Sequence, residues 1–191
     1  MDTLFLQEIE ATILLVDMRG FRALTETLSP VELGIVLPRF YEHIEASVLD
    51  AKGRLVKFTG DGVLAAFVGG PGVDHASRAL QAVNAIVGSR PTFVQSLKDA
   101  KLPIIDYITT ASAGRVAAGD LGTARLHAFD VLGRPVNRAF QLVSVADERG
   151  LAYVLDKTVV DHIPDPRKRP KVRDLGSVSF GQDLIDIVEV G

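Results

Sequence analysis

The stretch that decides the fold is Arg54 to Phe67, RLVKFTGDGVLAAF. Two apolar runs flank the tight corner Thr59-Gly60-Asp61-Gly62, a pattern typical of two antiparallel strands joined by a hairpin turn. Glycine on both sides of Asp61 predicts positive φ angles there. The result is a rigid ribbon with a carboxylate at its tip. An Asn-Gly turn would fold equally well, so the hairpin alone assigns no function to Asp61.

Composition bounds the class of protein. The chain has 191 residues, of which 47% are hydrophobic and 24% charged, as in an ordinary globular protein with one domain. A net charge of −3 and a pI near 5.8 argue against a general nucleic-acid binder. The absence of cysteine excludes disulfides and thiolate metal sites. The acidic N-terminus argues against a signal peptide, and no apolar run is long enough to predict a membrane span. We therefore expect one cytoplasmic domain over residues 1–191, with its core from about residue 11.

The first half of the chain shows one strand and two helices besides the hairpin. The apolar run Ala11–Val16 predicts a buried strand that ends at Asp17. Ser29-Pro30-Val31-Glu32 predicts a capping box at the start of an amphipathic helix that stops at Lys52-Gly53, with Pro38 as a kink. Asp74 caps a second helix. We expect Ser89-Arg90-Pro91 to break it, before a short helix from Phe93 to Lys98.

The second half predicts strands around one helix. The strands expected from apolar runs are Ile104–Thr110, Gly114–Ala118, Leu151–Leu155 and Asp183–Val190, with a polar excursion at Gly119–Leu126 and a helix from Pro135 to Val145. This order fits an α+β sandwich, in which helices cover one face of a mainly antiparallel sheet.

Asp17 and Asp61 are the first candidate site residues. Asp17 follows an apolar strand and Asp61 lies between two, each near a glycine. Both carboxylates therefore reach the same edge of the sheet if their strands are neighbours. Their mutual repulsion would then call for a cation, and Mg²⁺ or Mn²⁺ prefers carboxylate oxygens. From spacing alone, two unrelated turn aspartates are the simpler account.

Three segments resemble a known family. ILLVDMRGFRAL, GRLVKFTGDGVLAAF and FDVLGRPVNRAFQLV, in this order, resemble the signature segments of the class III adenylate/guanylate cyclase catalytic domain. The resemblance extends from about Ile13 to the terminal strand. It implies a ferredoxin-like βαββαβ core with extra elements, and a homodimer whose two sites lie at the subunit interface.

The resemblance also implies roles for individual residues. Asp17 and Asp61 match the residues that hold two metal ions, with assistance from the backbone carbonyl of Met18. Lys57 and Asp130 match the two positions that recognise the base, in the combination used for adenine, which favours ATP over GTP. Without the resemblance, Lys57 would be taken as a solvated strand lysine.

Three further positions match the family with different strength. Asn137 matches the asparagine that orients the ribose. Phe21 matches an aromatic residue near the triphosphate, although packing in the core explains it equally well. Arg125 lies near a phosphate-binding arginine, with a difference of one residue in segment length.

Two positions depart from the family pattern. Gln141 stands where the family has an arginine that neutralises charge at the α-phosphate, and Arg138 is rotated away from that position on the helix. In the closing hairpin, Phe180-Gly181 stands where the family commonly has lysine-glycine. The basic stretch Arg167–Lys171 is expected to be a solvated loop.

Three functions follow from this comparison. The first is a slow, metal-dependent adenylate cyclase that forms cyclic AMP from ATP. The second is an inactive module that binds nucleotide or a protein partner and acts in regulation. The third is one subunit of a heterodimer, in which the partner supplies the missing arginine and lysine.

Overall fold

The computed structural model describes residues 6–190, which form one sheet of eight strands with five α-helices. In chain order the elements are β1 Leu6–Met18, α1 Phe21–Thr27, α2 Pro30–Asp50, β2 Arg54–Phe58, β3 Gly62–Val68, α3 His75–Asp99, β4 Tyr107–Gly122, β5 His127–Leu132, α4 Arg134–Glu148, β6 Tyr153–Asp156, α5 Thr158–Asp161, β7 Val172–Phe180 and β8 Asp183–Val190. A short 3₁₀ helix covers Pro166–Lys168. Within residues 6–190, no helix is long and apolar enough to cross a membrane.

The sheet has the order β2-β3-β1-β4-β6-β8-β7, and β5 pairs with the far end of β4. Every pairing is antiparallel except that of β4 with β6. This mixed, mainly antiparallel α+β arrangement confirms the predicted fold class.

Helices cover both faces of the sheet, where the sequence predicted only one. Alternate residues of β1 separate the two faces: Leu14 and Val16 pack with α2 and α3, whereas Ile13 and Leu15 pack on the other side near Ala139 of α4. The prediction of one covered face failed because β1 is buried at every position from Ala11 to Val16, so both of its faces are covered.

The start of α2 is as predicted. Ser29 accepts a hydrogen bond from the backbone N–H of Glu32, and the Glu32 side chain returns one to Ser29, completing the capping box. The helix continues through Pro38 to Asp50.

The predicted break in α3 is wrong, because the helix runs unbroken from His75 to Asp99 through Pro91. Proline removes one N–H donor from the helix and leaves a carbonyl without its usual partner. Neighbouring groups satisfy carbonyls of the preceding turn: Ser89 Oγ donates to Ala85 O, and the Tyr107 hydroxyl donates to Ile86 O. Phe93 and Leu97 are buried beyond the proline and extend the apolar face of the same helix. Tertiary packing thus outweighs the local signal.

The two strands predicted in the middle of the chain are one long strand. β4 runs through Gly114 and Gly119, which have φ angles of 149° and 152°. The predicted polar excursion is instead the end of β4 and the four-residue connection to β5. The sequence prediction took these glycines as the ends of strands, although glycine also occurs inside strands.

Candidate functional site

The two aspartates of the predicted metal site come together at one end of the sheet. β1 pairs with β3 so that Asp17 lies opposite Gly62, the residue after Asp61. The backbone N–H of Met18 also donates to Asp61 O at 2.8 Å. The hairpin turn is therefore held directly against the end of β1.

Only one of the two turn glycines has the predicted positive φ. Gly60 has φ 92°, whereas Gly62 does not lie in this region. Gly62 is required for another reason: a Cβ there would lie 2.6 Å from Thr59 Oγ1, 3.0 Å from Val16 O and 3.2 Å from Asp17 Oδ2. The close approach of β3 to β1 leaves no space for a side chain.

The electrostatics of this corner favour a cation. Burial, followed by the charges of Asp61 and Asp147, raises the pKa of Asp17 to about 6. A divalent ion would remove this repulsion, and Mg²⁺ is commonly held by one or two carboxylates with water completing its shell. Within residues 6–190, no three His, Cys, Asp or Glu side chains cluster as metal ligands. The residues present thus fit a water-rich Mg²⁺ or Mn²⁺ site and do not fit an all-protein cage.

The hairpin is also fixed from the side of α2. The Tyr41 hydroxyl donates to Gly60 O, and its ring stacks on Phe58 with the centroids 4.3 Å apart. Both contacts anchor the turn that carries Asp61 to a long helix.

The predicted base-recognition residues are in direct contact. Lys57 Nζ lies 2.6 Å from Asp130 Oδ2, although the two residues are 73 positions apart and β2 and β5 are not neighbours in the sheet. The pair presents a donor beside an acceptor at a partly exposed position, with 45% and 20% of the two side chains accessible.

Helix α4 carries the two residues predicted to act on ribose and phosphate. Asn137 is exposed, and Gln141, one turn further along, is half-buried. Gln141 Oε1 is buried without a hydrogen-bond partner among the described residues. Arg138 donates to Asp183 and Asp156 at 2.6–3.0 Å, so it is directed away from the position of Gln141, as predicted.

The remaining predicted residues lie apart from these pairs. Phe21 begins α1 and packs against the core beneath α2 and α3, in agreement with the packing alternative. Arg125 is exposed in the connection between β4 and β5. In the basic stretch, Arg167 pairs with Asp165, and Arg169 donates to the carbonyls of Asp161 and Ile163, so these cations are engaged locally.

Sequence reasoning missed Arg19, which connects the end of β1 that carries Asp17 to α4. Its guanidinium donates to Leu151 O at 2.7 Å and lies 3.2 Å from both Asp106 and Asp147. These partners lie far along the chain, so no local pattern indicates the contact.

Comparisons with known proteins support the fold. No family model matches the chain. It is 27% identical over 174 residues to photoactivated adenylate cyclase subunit beta of Euglena longa, and 26% identical over 176 residues to subunit alpha of Euglena gracilis. These alignments cover 88% and 89% of this chain but 19% and 16% of the relatives, so the chain spans about a fifth of their length.

Solved structures resemble the chain over nearly its whole length. The adenylyl cyclase CyaB from P. aeruginosa has a TM-score of 0.86 at 22% identity, covering 98% of this chain and 96% of that one. The guanylyl cyclase Cya2 has a TM-score of 0.81 at 23% identity, covering 96% and 92%. The resemblance inferred from the three sequence segments is therefore confirmed at the level of the fold.

Proposed function

We propose that this chain, which has the fold of class III nucleotidyl cyclase catalytic domains, converts ATP to 3′,5′-cyclic AMP and pyrophosphate at a low rate. The observation that carries the proposal is the contact between Lys57 and Asp130, at 2.6 Å. Lys57 lies on the same hairpin as Asp61, whose turn lies against the end of β1 at Asp17. The hairpin thus contributes one residue to the proposed base-recognition pair and one to the pair of carboxylates.

The Lys57–Asp130 pair is suited to adenine. On its Watson–Crick edge adenine has an acceptor, N1, beside a donor, the 6-amino group. Lysine can only donate and ionised aspartate can only accept, so the pair complements both groups at once. Guanine presents the opposite order on the same edge, which favours ATP over GTP.

Asp17, Asp61 and the carbonyl of Met18 are the residues that would hold the metal ions. Bound there, Mg²⁺ or Mn²⁺ would activate the ribose 3′-hydroxyl and neutralise charge on the phosphates. In the reaction, the 3′-oxygen loses its proton and bonds to the α-phosphorus as the bond to pyrophosphate breaks. Asp17 is half-buried, which strengthens its interactions with charged groups relative to a fully exposed carboxylate.

Helix α4 accounts for the low rate. Asn137 is exposed and free to contact a ribose. In the proposed homodimer, this ribose belongs to the nucleotide that is bound mainly by the second subunit. Gln141 offers a neutral amide where the family has an arginine. Loss of one preorganised donor costs about 10²–10³ in rate, and an arginine that stabilises phosphoryl charge is worth about 10³–10⁵.

The first test is product formation from ATP with Mn²⁺, alongside the three other nucleoside triphosphates. Asp17→Asn should reduce the rate to background, because a neutral amide binds the metal poorly. Asp50→Asn is the matched control, since Asp50 lies exposed at the end of α2. Activity that survives Asp17→Asn would contradict the metal assignment.

A second candidate function rests on the same position of α4. The unpaired Oε1 of Gln141 favours a domain that binds nucleotide without efficient turnover and acts in regulation. If Gln141 is the defect, Gln141→Arg should raise kcat at least tenfold with KM nearly unchanged, whereas Gln141→Met should not. A cyclase that is already efficient and gains nothing from arginine would remove the basis of this candidate.

The heterodimer is tested by mixing. If a partner supplies the arginine, adding a complete class III cyclase domain that carries an inactivating metal-site substitution should restore turnover. Activity that depends only on the concentration of this chain favours the homodimer.

A further inference from the structure

The strand that carries Lys57 contains a β-bulge that changes which residues share a face. Arg54 pairs with Ala66 and Lys57 pairs with Leu64, so three steps on β2 match two steps on β3. In a regular strand, residues three apart point to opposite faces. The bulge at Val56 places Arg54 and Lys57 on the same face, above Leu64 and Ala66.

Both cations on this face contact β5. The Arg54 guanidinium carbon lies 3.4 Å from the centroid of the Phe129 ring, a cation–π contact. Lys57, three residues after Arg54, contacts Asp130, the residue after Phe129, at 2.6 Å. Two nearby side-chain contacts therefore join β2 to β5, although β2 is paired with β3 and β5 with β4 in the sheet.

β5 is hydrogen-bonded to β4 along its whole length, and on the side towards β2 it borders a cleft. A cleft of about 540 Å³ lies here, and its lining includes Ile9, Ala66 and Gly119 as well as Arg54 and Phe129. Gly119 is the β4 partner of Asp130, so the backbone pairing of β5 with β4 includes the base-recognition residue. Across the cleft, β5 meets β2 through side chains, among them the Arg54–Phe129 and Lys57–Asp130 contacts.

We propose that the Arg54–Phe129 pair positions Lys57 and Asp130 and thereby sets the preference for adenine over guanine. The inference rests on the proposed function of Lys57 and Asp130. A donor and an acceptor discriminate the two bases only if their order in space is fixed, because guanine presents the same two kinds of group in the reverse order. A β5 that shifts relative to β2 would allow the pair to adapt to either base.

The test compares kcat/KM for ATP and GTP in Phe129→Leu and Arg54→Met. Each should lower the ATP to GTP ratio about two- to fivefold, the size expected for one exposed cation–π contact. The double variant should be no worse than either single variant, since both remove the same contact. Phe129→Tyr keeps an aromatic ring and should keep the ratio.

Arg115→Met is the matched control. Arg115 is another exposed strand arginine, paired with Glu8 and Glu10 at 3.1 and 3.2 Å, and it does not contact β2 or β5 residues that recognise the base. It should leave the ratio unchanged. General damage to the fold would lower kcat/KM for both nucleotides together and leave the ratio as it is, which would overturn the proposal.

Binding measurements separate this inference from the proposed function. Affinities for 3′-deoxy-ATP and 3′-deoxy-GTP, which cannot be cyclised, give the same ratio without turnover. If the natural chain prefers 3′-deoxy-ATP but forms no product, the proposed activity fails and the variants are judged by binding. If the variants keep the full preference, or the natural chain has none, the positioning role is wrong.

Discussion

Replacing Arg138 by methionine tests whether this arginine is structural or substitutes for the one missing at Gln141. Arg138 makes two hydrogen bonds to Asp183 and one to Asp156, whose side chain is only 2% exposed. The geometry assigns it to an ion cluster that joins α4 to β6 and to the start of β8. Arg138→Met should therefore change stability and leave the chemistry intact.

The magnitude follows from what the substitution leaves behind. Removing one partner of a buried ion pair typically costs about 3–5 kcal/mol, because the remaining charge is buried without compensation. Asp156 keeps hydrogen bonds from Ser112 Oγ at 2.7 Å and from the Thr158 N–H at 3.0 Å, and Asp183 is partly solvated. We therefore expect a loss at the lower end, about 3 kcal/mol.

The assay is urea unfolding at pH 7, with kcat/KM measured per folded molecule. Arg134→Met, at the exposed first position of α4, is the control and should change stability by less than about 0.5 kcal/mol. Adding Asp156→Asn to Arg138→Met should recover part of the loss, since it removes the uncompensated charge. A variant of unchanged stability whose turnover collapses would show that Arg138 acts on the nucleotide.

Two further predictions concern stability around the site. Burial, with a contribution from the charge of Arg90, lowers the pKa of His43 to about 4. The folded state therefore resists protonation of His43 more than the unfolded state does. The stability that this provides is complete above pH 6.5 and is lost as the pH falls towards 4. Between pH 7 and pH 5 this costs at most about 2 kcal/mol, and less because solvent screens the half-buried ring. Urea unfolding of His43→Gln should show a correspondingly smaller acid dependence, whereas His127→Gln, on the exposed start of β5, should behave like the natural chain. Gly62→Ala should destabilise the folded state by about 1–3 kcal/mol through overpacking and should weaken Mn²⁺ binding. Gly88→Ala is the control: it has open space on α3 and should stabilise the folded state by up to about 1 kcal/mol. If Gly88→Ala proved the more destabilising of the two, the close approach of β3 to β1 at Gly62 would be contradicted.

What could be predicted from the sequence is what short segments determine. The hairpin around Asp61 and the capping box at Ser29 depend on residues a few positions apart, and both are present. The break at Pro91 was wrong because the Tyr107 hydroxyl and buried residues beyond the proline support the helix. No local signal reveals such partners.

The same distinction holds for the candidate site. Asp17 and Asp61 were expected together because adjacent strands would bring them to one edge, and the register does so. Lys57 and Asp130 were linked only through the family resemblance, since composition and spacing say nothing about residues so far apart. The bulge that turns Arg54 towards Phe129 has no signature in RLVKF, because it depends on how β3 pairs with it.

The arrangement of α4 limits how this chain can perform chemistry. Asn137 and Gln141 are one turn apart and share a face, whereas Arg138 is rotated by about 100° and bound to Asp183 and Asp156. Bringing its guanidinium to the position of Gln141 would require breaking three hydrogen bonds and leaving Asp156 buried without its cation. At about 3 kcal/mol, that penalty is comparable to the benefit of a single donor to the transition state, about 2.7–4 kcal/mol, and the rotation of the helix adds to it. Arg138 is therefore a poor source of positive charge at the α-phosphate in the proposed reaction, and Gln141→Arg is the change that would supply it in place.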